Sequence, residues 1–396
     1  MTMHLHTTHW LSRNRSVRSN AFWLSASVIL LTVMMTSITF DRPAIGEAFS
    51  DLPNGKCLTN IPSGWSDLGP PSTRAGAGMA YDAADGYVVV FGGYGDIGTT
   101  LDGHTWSYAN GCWKQLSPTT SPSPRVAMQM VWDPNSADCT SVFSSDTQGC
   151  VLLYGGCTAL ARAGMYAGGG VDCGTVASDT WEFYNGQWAQ VTTTASPGGR
   201  FESGMAYDAS SGDNFMILYG GCTTKSPCTV GADTWKFVGG ATPTWTEICG
   251  ITACLPGQLY LPAMAYDASS GDAYVLMYGG ESGSTAVNSY WKFQSGLWTV
   301  LCSSACTPGP RESALEQWDP TYGGILLVGG YNSATPAYLS STYEWKSGAW
   351  TLLCASCGFA PRAFGMMSFD IADDYMLLFG GEGTYSPVLG DIWYYA

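Results

Sequence analysis

Six times along the chain an uninterrupted run of four apolar residues ends in a glycine pair. The runs are Val88 to Phe91, Val151 to Tyr154, Met216 to Tyr219, Val275 to Tyr278, Ile325 to Val328 and Met376 to Phe379. The pairs are Gly92-Gly93, Gly155-Gly156, Gly220-Gly221, Gly279-Gly280, Gly329-Gly330 and Gly380-Gly381, spaced 63, 65, 59, 50 and 51 residues apart. A continuous short run, rather than an alternating one, predicts a strand buried on both faces. Six such units predict a propeller or another repeat array.

Each run has the same flanks. Upstream stands an aromatic-Asp step, at Tyr81-Asp82, Trp132-Asp133, Tyr207-Asp208, Tyr266-Asp267, Trp318-Asp319 and Phe369-Asp370. Eight residues before that Asp comes an arginine, Arg74, Arg125, Arg200, Arg311 or Arg362, with Leu259 in its place in the fourth unit. Downstream come Trp106, Trp181, Trp235, Trp291, Tyr343 and Trp393, followed by a second tryptophan at Trp113, Trp188, Trp245, Trp298 and Trp350. Each unit therefore predicts four strands, and the glycine pair a backbone with φ > 0 that approaches its neighbour closely. The sixth unit stops after its third strand, while Trp65 in Gly64-Trp65-Ser66-Asp67-Leu68 resembles a fourth-strand tryptophan with no unit before it. The expected fold is all-β, a six-bladed propeller of four-stranded antiparallel blades whose last blade is completed by the N-terminal strand, leaving no open edge. The blades span about 74–117, 125–191, 200–249, 259–301, 311–353 and 362–396 plus 64–68, in one domain over 49–396.

With the first-strand arginine, the glycine pair after an apolar run, the aromatic third strand and the fourth-strand tryptophan, residues 60–396 resemble the Kelch repeat family. The third strand departs from the family pattern, with Asp179-Thr180-Trp181 and its relatives in place of a Tyr-Asp ending. The resemblance implies that the loops after the glycine pairs and those between blades share one face, the usual binding surface. It also covers propellers of the galactose oxidase type, but that copper site needs histidine ligands and a Tyr-Cys pair. Apart from His4, His6 and His9 the chain has only His104. No cofactor or metal is therefore expected, and a Ser-His-Asp hydrolase is disfavoured.

Composition narrows the setting. Apolar residues make up 45% and charged residues 12% of 396, which suits a large core and argues against a disordered chain. The net charge of −15 disfavours nucleic acid and anionic membranes as partners. Arg13, Arg15 and Arg18 precede an uncharged apolar stretch, Ala21 to Phe40, and Gly46-Glu47-Ala48 supplies small residues. Residues 1–48 read as a signal peptide cut after Ala48, or as an uncleaved anchor. Either exports the remainder to the exterior or the cell surface. Fourteen cysteines in neighbouring pairs agree with an oxidising compartment. The pairs are Cys139 with Cys150, Cys157 with Cys173, Cys222 with Cys228, Cys249 with Cys254, Cys302 with Cys306 and Cys354 with Cys357, which leaves Cys57 for Cys112.

Candidate ligand contacts lie in the loops. Five of the six arginines in the exported part occupy the repeat position, where a structural role is expected; Arg162 stands apart in the longest loop, near Tyr166. Tyr94, Tyr331 and Tyr385 follow glycine pairs and, if exposed, suit sugar or protein surfaces. Glu202 and Glu312 each sit close after a repeat arginine, where paired carboxylates at a channel mouth could do acid/base work. The leading expectation is a non-catalytic binding module for an extracellular glycan or surface protein. The alternatives are a carbohydrate-active lyase or hydrolase and a structural component of a cell envelope.

Overall fold

The computed structural model describes residues 50–51, 71–95, 100–139, 149–165, 170–210, 213–224, 228–249, 255–269, 273–384 and 388–395, with the backbone alone at 50, 51, 136, 138 and 162–165. They form six antiparallel blades of four strands, with one helical turn at Ser136–Cys139. Blade one comprises Gly78–Asp82, Tyr87–Phe91, Thr105–Ala109 and Cys112–Leu116. Blade two comprises Gln129–Asp133, Cys150–Tyr154, Thr180–Tyr184 and Gln187–Val191, and blade three Gly204–Asp208, Phe215–Tyr219, Thr234–Val238 and Thr244–Cys249. Blade four comprises Ala263–Asp267, Tyr274–Tyr278, Tyr290–Gln294 and Leu297–Cys302, and blade five Leu315–Asp319, Gly324–Val328, Thr342–Lys346 and Ala349–Cys354. Blade six has Met366–Asp370, Tyr375–Gly383 and Leu389–Tyr395. Its fourth strand is Ser50–Asp51, with Ser50 opposite Tyr394 and Asp51 opposite Trp393. An N-terminal segment thus completes the last blade, though earlier in the chain than Gly64 to Leu68, which lies outside the described residues.

Each apolar run is the second strand of its blade and is buried end to end, sandwiched between neighbouring blades. The aromatic-Asp step closes the first strand. Its aspartate accepts amides two or three residues on, as Asp82 does from Ala84 and Asp85 at 3.0 and 3.2 Å, which fixes the turn to the second strand.

Two belts of backbone hydrogen bonds tie the blades into a ring. In the first, the second glycine of each pair donates to the carbonyl at the repeat-arginine position of the next blade. Gly93 reaches Arg125, Gly221 reaches Leu259, and Gly381 closes the circle on Arg74 at 2.9 Å. In the second, the residue two after that position donates to its counterpart in the preceding blade: Ala127 to Gly76, Glu202 to Ala127, Leu261 to Glu202, Ser313 to Leu261, Phe364 to Ser313 and Gly76 to Phe364. All six of these residues have φ between 51 and 61°. The first belt explains the glycine pairs, because a Cβ on the first glycine would meet the next blade's backbone oxygen at 2.2–2.6 Å.

Side chains reinforce the belts. The guanidinium of each repeat arginine donates to the carbonyl of its own blade's first glycine, at 2.8–3.1 Å. Four of them also pair with an aspartate ahead of the third strand: Arg74 with Asp102, Arg125 with Asp179, Arg200 with Asp233 and Arg362 with Asp391. In the last three the same aspartate accepts the third-strand indole N–H, from Trp181, Trp235 and Trp393. The departure from a Tyr-Asp ending is therefore this Arg-Asp-Trp unit.

At the third position before the aromatic-Asp aspartate stand Met79, Met130, Met205, Met264, Glu316 and Met367. Every methionine belongs to one continuous apolar cluster between two blades. Between blades four and five, where Glu316 replaces it, the cluster is split in two.

Candidate functional site

The first strands line the central channel, and the residues just beyond the glycine pairs crown one of its mouths. There the carboxyls of Glu202, Glu281 and Glu312 border a cavity of ≈ 340 Å³, with Asp172, Tyr260 and Tyr331 among its walls. The backbone sets this convergence. Glu202 is in the second belt, while Tyr260 and Glu312 bridge to the residues that follow the glycine pairs, Glu281 and Tyr331.

Insertions build the rim. A hairpin of Cys157–Met165 and Val171–Val176, pinned by the Cys157–Cys173 disulfide, folds over from blade two. Its Val171 amide donates to Glu202 Oε1 at 2.7 Å. Short ribbons follow the pairs of blades four and five, Glu281–Ser282 with Thr285–Ala286 and Tyr331–Asn332 with Ala337–Tyr338. The Ser333 hydroxyl donates to Glu312 Oε2 at 3.4 Å.

Burial in the cavity favours the protonated forms of Glu202 and Glu312. Burial, with a smaller contribution from the charge of Glu281, pushes Glu202 up to about 8 against the pull of the Val171 amide. Burial raises Glu312 to about 8 as well, and Glu281, lying against it, adds to the shift. Tyr260 is raised by burial and by Glu281. Such an arrangement can accept hydrogen bonds from hydroxyl groups, donate one from a carboxylic acid, or deliver a proton.

Glu202, Glu312 and Tyr331 come together here. Tyr331 is buried, however, and its ring packs on Tyr338 at 4.9 Å. Tyr94 is buried too, in an apolar cluster with Val126, Phe201 and Phe364 on the same face. Both tyrosines are wall and core rather than exposed aromatics, because the residue after each glycine pair turns inward to bridge the first strand. Arg162 lies in the Cys157–Met165 strand with only its backbone described, and Tyr166 and Tyr385 lie outside the described residues. His104 is exposed, with Nδ1 3.1 Å from Asp102. No group of His, Cys, Asp and Glu suited to a metal ion occurs among the described residues.

Five disulfides join neighbouring cysteines: Cys139–Cys150, Cys157–Cys173, Cys222–Cys228, Cys302–Cys306 and Cys354–Cys357. Cys112 and Cys249 are also disulfide-bonded, while Cys57 and Cys254 lie outside the described residues.

Sequence reasoning missed Glu281 and Tyr260. A signal was present: Glu281 directly follows Gly279-Gly280, and Tyr260 directly follows Leu259, the one break in the arginine series. Departures from the repeat cluster here. Blade four has lost both members of the ion pair, with Leu259 for arginine and Ser289 for aspartate. Blade five keeps Arg311 but has Ser341, so this guanidinium has no carboxylate partner among the described residues and lies over the Tyr343 ring. Departures from local rules are expected at functional or strained sites.

No protein-family model matches the chain, and no curated protein matches it. Among solved structures, that of YjhT is similar at 13% identity, covering 82% of this chain and 95% of that one with a TM-score of 0.55. At that identity the likeness shows the propeller fold alone.

Proposed function

We propose that this chain is an exported, non-catalytic binding module that takes a hydroxyl-rich ligand, a glycan, in the cavity of Glu202, Glu281 and Glu312. The observation that carries this reading is the meeting of three carboxyls from blades three, four and five at one mouth of the ring. A cavity of ≈ 340 Å³ suits a small ligand or the end of a chain. Carboxyl oxygens, the Tyr260 hydroxyl and Ser333 offer the acceptor and donor mix that sugar hydroxyls need. The disulfides fit an oxidising compartment, and the basic, apolar and small-residue order of residues 1–48 fits export.

Binding of soluble oligosaccharides by the wild type, Glu281→Gln and Glu312→Gln tests this. The expected result is saturable binding that weakens at least tenfold in both variants while their melting temperatures do not fall. Unchanged binding in both would overturn it.

One observation favours a second reading, a lyase or hydrolase. Glu312 lies against Glu281 and is kept protonated near neutral pH, as a general acid must be. In that case polysaccharides incubated with the protein are shortened, and Glu312→Gln abolishes turnover while still binding. Intact polysaccharide after prolonged incubation leaves the binding module.

A further inference from the structure

The opposite mouth of the channel has a different chemistry. There the first strands end in their aromatic-Asp steps, and Tyr81, Trp132, Tyr207, Tyr266, Trp318 and Phe369, one from each blade, border a funnel of ≈ 480 Å³. Its size is that of a small-molecule site. The methionines of the first strands form its deeper wall. Gln129, Gln317 and Ser368 add uncharged polar groups, and among the described residues of the lining the one acidic residue is Glu316.

Glu316 is out of place by every local rule. It occupies a position that holds methionine in the five other blades, in the wedge between blades four and five. Both carboxyl oxygens are screened from solvent, and neither has a hydrogen-bond partner among the described residues. Burial, with the like charge of Asp267 at the end of the adjacent first strand, raises it well above the usual carboxylate range, and its own charge acts on Tyr278. A buried polar group left without a partner is costly. Methionine would fill the space at no such cost, so the carboxyl's missing partner is the informative feature.

We propose that the funnel is a second binding site, for a small organic ammonium ion whose apolar body lies among the six aromatic rings and whose charged group pairs with Glu316. Two features fit this class of ligand. Aromatic faces attract cations through their quadrupole, and a single carboxyl beside them, ionised when an ammonium pairs with it, supplies a counter-charge that a neutral apolar ligand would not use. The ammonium gives the Glu316 carboxyl the partner it lacks, by a turn about side-chain torsions that leaves the strand in place. This site is separate from the carboxyl cavity, which lies beyond the second hydrogen-bond belt.

The test is a ligand-observed NMR titration of the full-length protein with n-butylammonium and, at matched ionic strength, with uncharged n-butanol. The expected result is saturable binding of n-butylammonium at least tenfold tighter than n-butanol, with the preference lost in Glu316→Met and in Glu316→Gln. Glu316→Met reproduces the lining of the other five wedges, and Glu316→Gln retains the shape should the first variant misfold. Glu312→Gln separates the two mouths and is expected to leave n-butylammonium binding unchanged. Absence of saturable binding, an undiminished preference in the Glu316 variants, or loss of binding in Glu312→Gln would each overturn the proposal.

Discussion

The amide of Gly381 donates to the carbonyl of Arg74 at 2.9 Å, joining the last blade to the first. Gly76 and Phe364 repeat the connection one belt further in. The ring is thus closed by main-chain bonds as well as by the N-terminal strand. Gly380 makes this approach possible. Its φ is +62°, and a Cβ there would stand 2.3 Å from the Arg74 carbonyl oxygen. Gly86 has a similar φ of +71° with nothing within 4 Å. Gly86→Ala therefore costs only the left-handed backbone penalty, ~1 kcal/mol. Gly380→Ala adds a backbone clash and is expected to cost at least ~3 kcal/mol. Urea denaturation of the two variants checks the difference.

The Arg200–Asp233 pair is buried on both sides, with side chains 1% and 4% exposed. Removing one partner strands a charge, so Arg200→Leu or Asp233→Ser alone is expected to cost ~3–5 kcal/mol. Blade four shows that the pair can be lost together, since Leu259 and Ser289 occupy the same two positions. The double variant is accordingly expected to be more stable than the sum of the singles by more than ~1.5 kcal/mol, the scale of coupling within a contact. A double-mutant cycle from chemical denaturation measures it. An additive result would show that the pair contributes no coupling.

How much of this was legible beforehand follows from what repeats. The glycine pairs, arginines and tryptophans recur in register, so the six blades could be counted from the chain. The fourth-strand indoles show how far such reading extends. Trp188, Trp245 and Trp298 donate to Thr105, Thr180 and Thr234 of the preceding blade, at 2.9–3.0 Å. Trp113 and Trp350 lack partners among the described residues, because Ile392 and Tyr290 occupy the threonine position of the blades before them. That rule is visible in the sequence once strand pairing is known. The carboxyl cavity was half legible. Glu202 and Glu312 stood out beside repeat arginines, but Glu281 joins them only through the bridge from Tyr260, a contact between segments of different lengths in a closed ring. The burial of Tyr94 and Tyr331 was not legible, because the bridge from the residue after Gly-Gly to the residue after the repeat-arginine position joins segments whose pairing the sequence does not display.

Stability is expected to depend on pH with an unusual sign. Glu202 and Glu312 move from an ordinary 4.5 to about 8 in the fold, and Asp82 and Asp370 from 3.8 to about 8 and about 7. Between those limits the native state binds more protons than the unfolded chain, so stability falls as pH rises, by up to ~1.4 kcal/mol per pH unit for each group. The ion-paired Asp179, Asp233 and Asp391 are held below the ordinary value. Their contribution is present above the unfolded pKa and is lost only as pH falls through the folded one. Denaturation midpoints at pH 5 and pH 8 are expected to be higher at pH 5. Glu202→Gln flattens this dependence, and a higher midpoint at pH 8 in the wild type would contradict the assignment.

Glu316 gives the sharpest separation between stability and function. In five wedges the methionine joins the apolar cluster that spans two blades; in the sixth a carboxyl without a partner divides it. Restoring the repeat with Glu316→Met removes that buried polar group and adds apolar contact, and it is expected to stabilise the fold by ~1–4 kcal/mol, the range seen when buried ionic groups give way to apolar ones. Met264→Glu places a second carboxyl in the equivalent position one blade earlier and is expected to destabilise by a comparable amount. Thermal melts at pH 7 compare both with the wild type. A residue kept solely for stability would show the reverse order, with Glu316→Met below the wild type. The expected gain means instead that this glutamate is held at a cost to the fold, the trade-off that residues serving function rather than stability show.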